Sequence, residues 1–164
     1  MKYVIVYLVS IVAANLSILW FGPSVAPVTA FILIALDLTL RDLLHDYWEN
    51  NKLILKMSAL IIGGSVITVV LNYEAMQIAI ASATAFFAAG IADTLVYKSI
   101  RRKQFLVRSN GSNVVSAAVD SLVFPVMAFG YPPLWPIIAA QFFAKTIGGF
   151  IWSIILKKYW ITNE

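Results

Sequence analysis

The chain contains no cysteine and a single histidine, His45. Without thiols there can be no disulfide, thiolate metal centre or cysteine nucleophile. One imidazole leaves almost nothing from which to build a zinc site, so neither a metal nor a cofactor is expected. No nucleophile and base stand at catalytic spacing, so an enzyme is not expected either. Charge is scarce too. Only 12% of the 164 residues are Asp, Glu, Lys or Arg, whereas soluble domains carry about a quarter. What remains is apolar: hydrophobic residues make up 61% of the chain.

A spanning helix needs about 20 apolar residues, so this length allows six spans with short loops and no soluble domain. The apolar runs predict helices over about 3–20, 26–48, 53–72, 75–97, 112–130 and 134–156. The fold class expected is all-α: residues 1–164 as one polytopic membrane domain, a compact bundle of six transmembrane helices. The first run lacks a cleavable-signal pattern and reads as a retained helix.

Lys and Arg set the orientation. Alternate connections hold Lys2, Lys52, Lys56, Lys98, Arg101, Arg102, Lys103, Arg108, Lys157 and Lys158, and the intervening connections hold none. This places both termini in the cytoplasm of a multi-pass inner-membrane protein. An odd number of helices would scramble the pattern. The run Arg101–Lys103 then reads as a topology determinant, not a nucleic-acid patch. His45, Asp46 and Glu49 mark the aqueous end of the second helix.

The few polar residues inside the spans carry the chemistry. The stretch Arg108–Gly130 reads RSNGSNVVSAAVDSLVFPVMAFG, with Asp120 at its centre. A carboxylate at mid-helix costs roughly 2.5–3.5 kcal/mol to insert, so it needs a partner. Pro125 donates no N–H, which frees the Ser121 carbonyl and predicts a bend. The second helix carries Asp37 and Arg41, four residues apart and able to pair on one face. Asp42 points about 100° away from Arg41.

Asp37, Asp120 and Lys145 fall about ten residues in from the uncharged ends, near the bilayer midplane. Arg41 and Asp93 lie about one turn deeper, and Asn15 and Gln141 slightly higher. Four carboxylates, Asp37, Asp42, Asp93 and Asp120, therefore face two cations, Arg41 and Lys145. The expected pairs are Arg41 with Asp93, and Lys145 with Asp37 or Asp120. At least one carboxylate is left to bind a donor-rich ligand or to carry a proton. A flat ring with amidine-like N–H donors suits a carboxylate, with Phe86, Phe124, Phe142 or Trp152 available to stack on it. These groups should enclose a ring-sized polar chamber. The plainer alternative is that the charges only fix helix register, with Asp42 and Asp93 reaching the cytoplasmic interface.

At these residues the chain resembles the VUT family, the queuosine-precursor transporters. The matching pieces are AANL at Ala13–Leu16, the Asp37 segment, ASATAFFAAGIAD at Ala81–Asp93, the Arg108–Gly130 stretch and QFFAK at Gln141–Lys145. The family commonly has an acidic residue four after the helix 2 aspartate, and here that position is Arg41. The resemblance implies import of 7-cyano- or 7-aminomethyl-7-deazaguanine, or queuine. It implies substrate contacts at Asp37, Asp93, Ser116, Asp120, Phe124, Gln141 and Lys145, with Asn15 in support and Arg41 by position. A binding subunit of a larger energised uptake complex and a non-transporting structural membrane protein remain as alternatives. The small-residue face Ala81, Ala85, Ala89 and Gly90 can pack within one bundle or between two copies, which leaves a homo-oligomer open.

Overall fold

The computed structural model describes residues 2–48, 52–100 and 102–158. Glu49, Arg101 and the side chains of His45 and Lys98 lie outside that description, and with them the interfacial roles expected for them. Among the described residues, six helical stretches are long and apolar enough to cross a membrane.

Helix α1 (Lys2–Phe21) is a continuous, mostly apolar helix of 20 residues, about 30 Å long and so matched to the hydrocarbon core. Gly22, at φ +72°, and Pro23 end it. The second span is compound: a 3₁₀ turn (Pro23–Val25), α2 (Ala26–Thr29), a π-helical turn (Ala30–Ile34) and α3 (Ala35–Trp48). Helix α4 (Leu53–Leu71) stops at Asn72, whose side chain accepts the Glu74 N–H at 3.0 Å and starts the turn Tyr73–Ala75. Helices α5 (Met76–Ser99), α6 (Phe105–Phe129) and α7 (Trp135–Leu156) complete the bundle.

One expectation changes here. Helix α6 begins at Phe105, not near 112. The polar stretch before 112 is helical because the bundle receives its side chains: Ser109, Ser112 and Asn113 are all buried. Helix α6 continues past Pro125 to Phe129. Ser121 contributes to the interior through its hydroxyl, which accepts from Lys145 Nζ at 3.1 Å.

Helices α5 and α6 form the most extensive interface. Ala81, Ala85 and Ala89 are buried, and such small side chains let two backbones approach closely. Helix α7 packs against the second span at Gly148. A Cβ there would lie 2.7 Å from the Ala35 Cβ and would collide with the Phe31 carbonyl oxygen, so only glycine fits. Large apolar side chains such as Ile5, Ile54, Val70, Ile91 and Leu95 face outward, as lipid-facing residues must. Trp20, Tyr73, Tyr131 and Trp135 are exposed at the end without Lys or Arg and Tyr47 at the other, which places aromatics at both interfaces.

Two apolar clusters bracket the polar residues. One, built from Ile18, Ala26, Ala81, Ala85, Phe124 and Ala128, lies toward the end without Lys or Arg. The other, including Tyr7, Ile11, Leu40, Leu44, Met57 and Phe86, packs the basic half.

Candidate functional site

Between the two clusters lies a cavity of about 20 Å³. Its polar walls come from Asn15, Thr29, Ser82, Asp120, Gln141 and Lys145, and its apolar walls include Ile18, Phe86 and Phe124. Lys145 is the centre of this wall. Its ammonium donates to Asp120 Oδ2, to Ser121 Oγ at 3.1 Å and to Gln141 Oε1 at 2.9 Å. Three donors meet three acceptors, so the buried lysine is fully satisfied. Gln141 sits one turn before Lys145 on α7, and its Nε2 has no acceptor among the described residues. Asn15 donates to Thr68 Oγ1 at 3.3 Å, tying α1 to α4 beside the cavity. The Phe124 ring stands edge-on to Phe129, with centroids 5.8 Å apart.

A second charged group lies toward the basic end. Arg41 Nη2 is 3.2 Å from Asp93 Oδ1 and donates to Ser116 Oγ at 3.0 Å. This one guanidinium joins the second span to α5 and α6. Asp37 does not pair with it within the helix: neither Asp37 oxygen has a hydrogen-bond donor among the described residues. Ser10, beside that carboxylate, donates its hydroxyl to the Val6 carbonyl at 2.8 Å.

The polar residues expected in one slab thus divide into two groups. Asn15, Asp120, Phe124, Gln141 and Lys145 line the small cavity. Arg41, Asp93 and Ser116 form the deeper group. Asp37 lines neither cavity but lies within electrostatic reach of Arg41 and Asp120. Asp42 and Asp93 are wholly buried, so neither reaches the aqueous interface. The expected ring-sized chamber is a water-sized void, since about 20 Å³ holds one water molecule and no base. Large aliphatic and aromatic side chains close around it.

A larger opening of about 210 Å³ lies between α4 and α5, with Arg41, Ser58, Phe86, Gly90 and Thr94 among its walls. Phe86 lines both spaces and so stands as the partition between them. Sequence reasoning overlooked Tyr7, a buried phenol within electrostatic reach of Asp37, Arg41, Asp93 and Asp120. It also passed over Ser82 and Thr29. Nothing in their local sequence marks them, because the cavity that selects them is made by packing.

Residues 4–157 match the family described as "Putative vitamin uptake transporter". No curated protein and no solved structure matches the chain.

Proposed function

Because the chain belongs to this vitamin uptake transporter family, we propose that it is a multi-pass membrane transporter importing a 7-deazapurine base. 7-Cyano-7-deazaguanine, 7-aminomethyl-7-deazaguanine and queuine are the candidate cargoes. The observation that carries the reading is the wall formed by Asp120, Lys145 and Gln141 at a cavity flanked by Phe86 and Phe124. A guanine-type edge presents parallel N–H donors, which a carboxylate accepts in pairs. Gln141 Nε2 supplies a donor with no acceptor among the described residues, suited to a ring nitrogen, carbonyl or nitrile on the base. Aromatic rings on either side supply stacking surface.

At about 20 Å³ the cavity is too small for a base. Admitting a base requires helices to separate at the midplane, as in transporters whose halves rock about a fixed site. When the base arrives, its N–H groups replace Lys145 on Asp120. Lys145 keeps the Ser121 and Gln141 oxygens, so its ammonium is never left bare. Ten basic residues at one end of the bundle and none in the intervening connections support cytoplasmic termini.

The test is thermal unfolding of the purified protein with a panel of purines and 7-deazapurines. A ligand that binds only the folded state stabilises it by about 2.7 kcal/mol at one hundred times its Kd. Guanine-type 7-deazapurines should raise the melting temperature, and adenine-type bases should not. Stabilisation by an unrelated vitamin with none from any deazaguanine would overturn the proposal.

A further inference from the structure

We propose that Asp42 is a proton-binding site that couples base import to proton flow, an inference that rests on the transport reading above. Asp42 is wholly buried, and neither of its oxygens has a hydrogen-bond donor among the described residues. The charged and polar groups facing it are Arg41 and Asp46 from its own helix, Asp93 and Tyr97 from α5, and Ser109 from α6. Among the described side chains, the cation in its immediate surroundings is Arg41, which already serves Asp93 and Ser116. Arg41 is thus committed elsewhere, and Asp42 is buried without a hydrogen-bond donor of its own among the described residues.

A second observation points the same way. Asn113 is buried, its Nδ2 donates to Ser109 Oγ at 3.3 Å, and its Oδ1 is left without a donor. Ser109 lies beside Asp42. The pocket is thus rich in acceptors and dry. An unpaired charge in such a place costs several kcal/mol, which a proton on Asp42 removes. A hard metal cation wants several converging oxygen ligands, and among the described residues no group of three acidic or histidine side chains is placed to hold a metal ion.

The way to water is short. One turn along α3, Asp46 is 40% exposed. Arg108 forks onto it with N–O distances of 2.9 and 3.3 Å and stacks 4.9 Å from the Tyr97 ring centroid. Exposed ion pairs of this kind contribute little stability and open readily. With the fork open, the Asp42 O–H bond breaks and the proton passes to water beside Asp46, with no change in oxidation state. The carboxylate left behind draws Arg41 from Asp93. Arg41 also holds Ser116, one turn before Asp120 on α6, so release of the proton pulls on the helix that carries the Lys145–Asp120 pair.

The experiment uses the full chain in proteoliposomes, with membrane potential clamped and 7-cyano-7-deazaguanine as cargo. One proton per base gives about tenfold accumulation per unit of inside-alkaline pH gradient. A protonophore should abolish it, and Asp42→Asn should keep base exchange while losing gradient-driven accumulation. Infrared difference spectra provide a cargo-free readout, in which Asp42→Asn deletes a protonated carboxylic C=O band. Asp42→Glu should retain both properties if Asp42→Asn fails to fold. Wild-type uptake that ignores pH, accumulation driven by sodium alone, or an Asp42→Asn variant that still accumulates overturns the proposal. A thermal shift with 7-cyano-7-deazaguanine separates these outcomes from an error in the cargo assignment.

Discussion

Replacing Lys145 with methionine isolates the energetics of the polar wall. The lysine is 1% exposed and its partner Asp120 6%, so solvent screens neither charge effectively. Methionine has similar bulk and leaves no large void. The loss is electrostatic: Asp120 keeps its charge without a counter-ion. Breaking a buried pair from one side costs about 3–5 kcal/mol. The cost has a ceiling, because a stranded carboxylate can take a proton. At about 1.4 kcal/mol per pH unit, protonating an ordinary carboxyl of pKa near 3.9 at pH 7 costs about 4 kcal/mol. At about 2–4 °C per kcal/mol for a chain of this size, the melting temperature should fall by roughly 6–16 °C. Because the proton supplies the missing charge, the deficit should shrink by about 1.4 kcal/mol for each pH unit of acidification. The double variant Lys145→Met with Asp120→Asn removes both charges and should recover much of the loss. The assay is thermal unfolding in detergent between pH 5 and pH 7.5, run as a double-mutant cycle. A double variant no more stable than Lys145→Met, or a deficit unchanged by pH, would refute the reasoning.

Gly148→Ala should lower stability by about 1–3 kcal/mol, since its Cβ has no room against Ala35 and Phe31. Gly63→Ala should be neutral or stabilising by up to about 1 kcal/mol, because its Cβ meets only Leu8 Cδ2 at 3.9 Å; both are read by thermal unfolding. Phe124→Ala should weaken base binding by about 1–3 kcal/mol, the usual worth of a stacking ring, measured by titration calorimetry. The cysteine-free sequence allows orientation to be read with single introduced thiols. Tyr131→Cys should label from outside intact cells and Lys103→Cys only after permeabilisation.

The six spans were legible because a membrane demands one simple thing, about 20 apolar residues in a row, and this sequence supplies it six times. The Arg41–Asp93 pair was also legible, since charges at matching depth in adjacent spans have few other partners. The partner of Lys145 was narrowed to two candidates and fell to Asp120, which shares the α6–α7 interface with Ser121 and Gln141. Other features were hidden for physical reasons. The π turn lies in the sequence AFILI, which holds no glycine or proline to mark it. The early start of α6 was masked by polar residues that read as a loop until neighbouring helices bury them. The size of the cavity depends on how Ile18, Phe86 and Phe124 meet, and no periodicity encodes that. Asp37 was a candidate partner for Lys145 and could have paired with Arg41 within its helix, but Lys145 meets Asp120 and Arg41 meets oxygens on two other helices.

The wide turn at Ala30–Ile34 has a consequence for how this helix tolerates change. The Trp152 indole N–H donates to the Ile32 carbonyl at 2.9 Å, so α7 fastens the irregular winding in place. A residue lost within the wide turn is absorbed as it rewinds to a regular α turn one residue shorter, whereas deleting Leu36 just after it would rotate Ala26 and Thr29 by about 100° relative to Asp37. Both would swing off the cavity wall with their own side chains intact. Beyond the turn the number of residues, more than their identity, sets the shape of the chamber.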